Sequence, residues 1–297
     1  MRLKLAHYRN RFSMFRTYYA LREGLVKADG VEFAIVEVPD PPSREQEETL
    51  IRRDVDLANL YLPNFLERAL AGAPIIGLCT EWKSTGKGNG LFVRRNEIRA
   101  PADLAGRKIA THQGPHAIHR YLLRKAYGVD PATLTWAASP QESLIGVLRR
   151  GEADAVVLLD HFFHHGEEAS DLACLYTDGS AWKSLTGFDE MIKHMVAARA
   201  DLIRQNPALV GMLLAAFRES FAYSERNMNE VADVFLRTYG GDREALLISA
   251  SYPRMEFTFT AAERALAQAQ LDMFVDVGRL SRAAPVESFF VQESASC

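Results

Sequence analysis

Ala102-Asp-Leu-Ala-Gly-Arg-Lys-Ile-Ala110 begins the stretch whose reading decides the fold. It predicts a short helix over 102–105 and a strand over 108–111. A helix over 115–127, a strand over 134–137, a helix over 140–150 and a strand over 155–159 follow. Strands that alternate with helices predict a mostly parallel sheet covered by helices. The same alternation precedes this unit: a strand over 3–7, a helix over 14–25 and a strand over 31–38 in which apolar and acidic residues alternate. Pro39, Pro41 and Pro42 stop that strand, and Ser43 with Glu47 opens a charged helix to about 53. A strand over 55–61, a helix over 63–71 with Pro63 at its start and a strand over 74–79 complete the first unit. Between the units, Lys83 to Gly90 carries three glycines within Gly86-Lys-Gly-Asn-Gly90 and reads as a crossover. The middle unit is complete by about residue 180. A strand over 191–197 and helices over 207–225, 229–239, 243–250 and 261–277 then return the chain to the first unit. The expected organisation is residues 1–85 with 190–297 as one lobe and 86–189 as an inserted second lobe, joined by two crossovers.

Composition bounds the function. A chain of 297 residues, 48% hydrophobic and 25% charged, is an ordinary globular protein, and at about 150 residues per domain it holds two domains. Thirty-five basic against 38 acidic side chains leave a net charge of −3. No positive field is present to hold a phosphate backbone, so nucleic acid is excluded as a partner. Cys79, Cys174 and Cys297 form no CxxC pair, which argues against a disulfide framework or a cysteine zinc site. No apolar run reaches roughly 18 residues, so membrane insertion is not expected. The apolar stretch within residues 1–10 is too short for a secretory signal. Read as a complete chain, the protein is expected in the cytoplasm, or in the periplasm if a leader has been removed.

The stretch 102–110, Tyr127-Gly-Val-Asp-Pro131 and Leu148-Arg-Arg-Gly-Glu-Ala-Asp-Ala-Val156 together resemble the second domain of type II periplasmic-binding-like proteins. That superfamily includes NMT1-like substrate-binding proteins of sulfonate, nitrate and pyrimidine transporters. The resemblance extends through Asn206-Pro207 to Asn227 and Gln270 to Gly278, and covers nearly the whole chain. It implies an α/β fold of two Rossmann-like lobes with a ligand cleft between them and two crossovers. Within the superfamily, Gly24-Leu-Val-Lys-Ala-Asp-Gly-Val31, Leu91-Phe-Val-Arg-Arg95, Trp136 and Thr186-Gly187 leading to His194 are similar to stretches of the 4,5-dihydroxyphthalate decarboxylases. Thr111-His-Gln-Gly-Pro-His116 departs from those enzymes. The cysteine-rich motif of thiamine-pyrimidine synthases and the early nucleophilic cysteine of aromatic desulfinases are both missing from this sequence.

Candidate site residues follow from where strands end, since strand carboxyl ends in open α/β sheets face the ligand crevice. Gly114 and Pro115 sit between a strand and a helix, where backbone N–H groups and the helix dipole favour an anion, with His112, Gln113 and His116 as added donors. The other reading of this turn is a capped helix start with solvated histidines. Seven of eight histidines, His112, His116, His119, His161, His164, His165 and His194, lie in or beside the middle unit. Imidazole titrates near neutrality, which suits proton transfer; His119, His164 and His165 also read as polar helix surface. Asp160 is placed to orient His161, to receive a ligand amine or hydroxyl, or to cap the next helix. The first lobe offers Tyr8, Arg9, Asn10, Asn59, Tyr61 and Trp82, with Arg9 or Lys83 as counter-ion to an aromatic acid. Phe12, Phe15, Tyr18 and Tyr19 are at helical spacing and read as core. The resemblance implies that Thr186, Gly187 and His194 face the cleft.

Two function classes stand. The first is a cytoplasmic carboxy-lyase for an aromatic acid: the helix start at Gln113 to His116 and Arg9 hold one carboxylate, Tyr8 or Trp82 stacks on the ring, and His116 or His161 protonates the ring carbon. The alternative is an ABC-transporter substrate-binding protein for a sulfonate, nitrate or pyrimidine. Either takes a small anionic ligand, and neither calls for a cofactor. His112, His116, Asp160, His161 and His164 are metal-ligand types, but their spacing matches no metal motif. Gly86 to Gly90 lacks the GxxxxGK[ST] context of a phosphate cradle and reads as a hinge. No helix-turn-helix precedes the fold, which leaves an intracellular sensor as the weaker third class.

Overall fold

The computed structural model describes residues 1–9, 11–39 and 44–291. Asn10, Pro41, Pro42, Ser43 and Cys297 lie outside that set. The strands are β1 (Arg2–Tyr8), β2 (Glu32–Val38), β3 (Leu57–Tyr61), β4 (Ile75–Ser84), β5 (Asn89–Arg94), β6 (Lys108–Thr111), β7 (Thr135–Ala138), β8 (Ala155–Leu159), β9 (Leu172–Thr177), β10 (Met191–Arg199) and β11 (Pro253–Thr258). One sheet has the order β11-β4-β10-β3-β1-β2 and the other β7-β6-β8-β5-β9, giving two α/β lobes.

Both sheets are mixed, which corrects the mostly parallel expectation. β1 runs parallel to β2 and β3, whereas β10 is antiparallel to both β3 and β4. In the second sheet β6 runs parallel to β7 and β8, and β5 is antiparallel to β8 and β9. The cause is connectivity. β5 and β10 follow crossovers rather than covering helices, and each enters a sheet against its neighbours. β4 and β5 also extend further into the glycine-rich segment than expected, so the first crossover is only 85–88. The helix Asp160–Glu168 is the one expected to follow β8, whereas β9, β11 and the helix Asp178–Thr186 go beyond the expected elements. Their local alternation is weak: β9 is buried at Leu172 and Tyr176 alone, and β11 only at Phe257.

The central strands carry the densest apolar runs because helices cover both of their faces. All five residues of β8 are buried, as are the first eight of the nine in β10. Phe12, Phe15, Tyr18 and Tyr19 are core, as expected, on the helix Phe12–Arg22. The crossovers cross at close range. A Cβ built on Gly179, at the start of the helix Asp178–Thr186, would overlap the Thr85 carbonyl oxygen. Gly179→Ala must therefore part the two crossovers. Backbone cannot give way as a flexible side chain can, so we expect a loss of at least about 2 kcal/mol, read by urea unfolding; a midpoint equal to that of the parent protein would show that the crossovers move freely.

Candidate functional site

Between the lobes lie three adjoining cavities. The central one, of about 40 Å³, is lined from the first lobe by Tyr8, Arg11, Tyr61, Trp82, Lys193 and His194. The second lobe adds Asn89, His112, Gln113, His116 and Leu159. An outer cavity of about 320 Å³ shares Arg11 with it and is bordered by Ser13, Gln141, Asp160, His161 and Phe235. On the other side, a mouth of about 200 Å³ shares Tyr61 and Gln113 and reaches Arg44 and Arg279.

Aromatic rings set the floor of the centre. The His194 ring stacks on Trp82 with centroids 5.0 Å apart and planes 19° apart, and Tyr8 and Tyr61 each stand 5.7 Å from it. Asn59 does not line the cavity; it lies behind, its Oδ1 3.0 Å from His194 Nδ1. A carboxamide oxygen only accepts, so Nδ1 carries the proton and Nε2 is left as an acceptor. The opposite wall is a histidine row: His112 and His116 centroids are 6.3 Å apart, His116 and His119 5.0 Å, and His119 Nδ1 lies 3.0 Å from the Tyr176 hydroxyl. His119 is wholly buried, which corrects its reading as helix surface. Burial holds His112 down at about 3 and His119 at about 4. Burial likewise keeps His116 and His194 well below the usual imidazole value and lowers His161.

The lowered values favour the neutral ring at His116, His161 and His194. His116 and His194 line the central cavity, and His161 lines the outer one. Among the described residues, no group of three or more His, Cys, Asp and Glu side chains is arranged to hold a metal ion.

The turn after β6 matches its expected geometry in part. Gly114 has φ of +79°, a conformation open to glycine at little cost, and its carbonyl accepts from Thr111 Oγ1 at 2.6 Å. The helix is Ala117–Tyr127 and starts two residues later than the expected 115–127, with His116 at its N-cap, because His116 keeps an extended backbone. This puts the His116 ring at the positive end of the helix. Four polar atoms of the lining are buried without a hydrogen-bond partner, Trp82 Nε1, Asn89 Oδ1, His112 Nδ1 and His116 Nδ1, and Asn59 Nδ2 behind the cavity is a fifth.

Several candidate positions fall elsewhere. Arg9 is exposed, its backbone N–H donating to the Val38 carbonyl at 2.9 Å, and it lines none of the three cavities. Arg11, which the sequence reading passed over, is the cleft arginine: it reaches across the lobes to Asp160 at 2.9 Å. Asp160 neither orients His161 nor caps a helix; it is the first helical residue, after Leu159 as N-cap, and holds a left-handed φ of +52°. Lys83 is not available as a counter-ion, since Glu190 at 3.2 Å, Glu263 at 3.1 Å and Glu256 surround it. Thr186 and Gly187 end the helix Asp178–Thr186: Thr186 Oγ1 donates to the Trp182 carbonyl at 2.9 Å, and Gly187 is the left-handed C-cap. Neither lines any of the three cavities. Asn10 lies outside the described residues.

The chain is similar in fold to solved binding proteins. The periplasmic aliphatic sulphonate binding protein SsuA from Escherichia coli superposes with a TM-score of 0.77 at 18% identity, over 98% of this chain and 92% of that one. The alkanesulfonate-binding protein SsuA from Xanthomonas axonopodis pv. citri bound to MOPS gives 0.76 at 17% identity, over 98% of both chains. The ligand binding component of an ABC-type import system from Staphylococcus aureus, with zinc bound, gives 0.73 at 12% identity, over 100% of this chain and 99% of that one. A comparison with curated protein sequences finds no match. The sequence profile described as NMT1/THI5 like matches residues 12–230, about three quarters of the chain. The match spans well over half of the chain, and the lobes and crossovers agree with the shared fold: the chain belongs to the NMT1/THI5-like family.

Proposed function

We infer that this protein is the substrate-binding component of an ABC-type importer and that it closes on a small organic oxyanion, a sulfonate or carboxylate. The observation that carries this reading is the ring of unpartnered polar atoms around the central cavity. Buried polar groups are ordinarily paired, and Trp82 Nε1 can only donate. The N-terminus of the helix Ala117–Tyr127 faces the same need for an acceptor. A cavity of about 40 Å³ accommodates one such headgroup. The sulfonate-binding proteins that share the fold support the choice of ligand class. Tyr8, Tyr61, Trp82, His112, Gln113, His116 and His194 bind it. Asn59 positions His194, and Gly114 shapes the turn. We take residues 1–85 with 190–297 as one closing body and 86–189 as the other. An importer component meets its solute outside the inner membrane, so we place the working protein in the periplasm instead of the cytoplasm.

The charges add a condition. Arg11 is paired with Asp160 and Lys193 with Asp178, so an entering anion meets cations that are already partnered. His194 becomes a donor at Nε2 only by taking a second proton. An anion raises imidazole pKa values towards neutrality, so binding takes up protons and tightens as pH falls. Titration calorimetry with methanesulfonate, acetate, benzoate, nitrate and uracil at pH 8 and pH 6 tests both points. We expect an oxyanion to bind up to about tenfold tighter per pH unit for each proton taken up, and Trp82→Ala or His116→Ala to weaken it at least about tenfold, the loss of one buried charge-assisted hydrogen bond. Release of CO2 from a bound carboxylate, or binding of uracil in preference to every anion, would overturn the reading.

A further inference from the structure

We propose that the outer cavity is a second compartment of the same binding site, built for a flat apolar group that carries a hydroxyl or amino hydrogen-bond donor at its far end. The inference rests on the receptor reading and specifies the rest of the ligand. Three observations carry it.

The outer cavity joins the central one through Arg11, which lines both. A ligand anchored by an oxyanion in the centre therefore has space for its remainder on the Asp160 side of that arginine, and about 320 Å³ is enough for a single ring. Aromatic rings form part of the walls. Phe12 and Phe235 meet edge to face at 5.2 Å, and Phe162 packs on His161 at 4.0 Å.

The unpartnered polar groups in these walls can accept, whereas Trp82 Nε1 in the centre can only donate. Gln141 donates through Nε2 to the Val157 carbonyl at 3.3 Å, which leaves Oε1 as the carboxamide's acceptor, buried and unpartnered. Ser13 Oγ, from the facing lobe, is also buried and unpartnered. Both residues are only 9% exposed. The Asp160 carboxylate adds further acceptor capacity. An acceptor-rich compartment calls for a donor on the ligand, just as the donor-bearing centre calls for an anion.

Asp160, finally, holds a left-handed backbone that a non-glycine residue adopts at a cost. Its N–H donates to the Gly88 carbonyl in the first crossover at 2.9 Å while its carboxylate holds Arg11. Asp160, on the wall of the outer cavity, is thus tied to the hinge and to the facing lobe together.

The test is calorimetric, on the full-length protein. The probes are methanesulfonate, 2-phenylethanesulfonate and 2-(4-hydroxyphenyl)ethanesulfonate, with acetate, 3-phenylpropanoate and 3-(4-hydroxyphenyl)propanoate as the matching carboxylates. Affinity is expected to rise at least tenfold from the one-carbon anion to the phenyl probe, and a further five- to tenfold with the hydroxyl. Ser13→Ala and Gln141→Met should each remove the hydroxyl's advantage and leave the affinity for methanesulfonate or acetate within twofold, which also shows that the variants are folded. Equal binding of short and long anions, or a hydroxyl that adds nothing in the parent protein, overturns the compartment and leaves the receptor reading standing. Failure of every anion to bind overturns both.

Discussion

Lowering the pH from 7 to 5 is expected to remove several kcal/mol of folding stability. His7, His112, His116, His119 and His194 are all held below the ordinary imidazole value, first of all by burial, with His7 at about 4, His112 at about 3 and His119 at about 4. The sign follows from linkage. An unfolded histidine takes up a proton below about 6.5, whereas the buried ring does so only at lower pH, about 4 at His7 and His119 and about 3 at His112. The unfolded state therefore binds more protons throughout that window, and each ring withdraws about 1.4 kcal/mol per pH unit. Glu81 works the other way. Burial pushes its carboxyl up to about 8, so the folded state retains a proton that the unfolded state loses above about 4.5, and acidification favours the fold there, as it does at Glu47, which burial also raises. The lowered rings, His161 among them, outnumber these two carboxyls and leave a net loss. Urea unfolding at pH 7, 6 and 5 measures it. His119→Gln, remote from the central cavity's lining, should make the dependence shallower by about one proton, and a midpoint that holds steady from pH 7 to pH 5 would refute the neutral histidine row. Methanesulfonate should flatten the same curve if the bound anion stabilises imidazolium.

Lys193→Ala is expected to cost about 3–5 kcal/mol, the penalty for stranding a buried partner charge. Lys193 and Asp178 form a pair with side chains 3% and 0% exposed, and Asp178 also accepts from Ser84 Oγ at 3.1 Å. Lys193 stands two residues into β10, just beyond the second crossover, and Asp178 opens the helix that presses on the first. The pair therefore braces the second crossover, and Ser84 at the end of β4 ties Asp178 to the first. Removing one partner leaves a charge with nowhere to be solvated. Removing both, as in Lys193→Met with Asp178→Asn, should restore most of the loss, because an apolar or neutral replacement avoids the desolvation of two ions. Equilibrium unfolding of the parent, both single variants and the double variant closes the cycle. Singles that are as destabilising together as apart would show that the two side chains do not act as a pair.

Much of this molecule can be read from local pattern. Alternation in 31–38 and the apolar run at 155–159 mark strands because side-chain period and burial are properties of the strand itself. Glycine marked two turns correctly: Gly114 after β6 and the crossover at Gly86 and Gly88. His112, Gln113, His116, Tyr8, Tyr61, Trp82 and His194 meet at one cavity, as strand ends in an open α/β sheet predict. What local pattern cannot carry is partnership. Nothing near Arg11 distinguishes it from Arg9, yet Arg11 reaches Asp160 across 149 residues and Arg9 faces solvent. Lys83 has the look of a free counter-ion until β11 and the helix Ala261–Asp276 bring Glu256 and Glu263 to it. His119 reads as surface until Tyr176, 57 residues on, packs over it. The sequence by itself determined most of the elements, though not β9, β11 or the helix Asp178–Thr186, and the presence of two lobes with two crossings, because these follow from short-range periodicity and turn chemistry. Only the tertiary structure decided which charges are neutralised and which imidazoles are dry, because solvation and pairing depend on groups that the chain brings together from far apart.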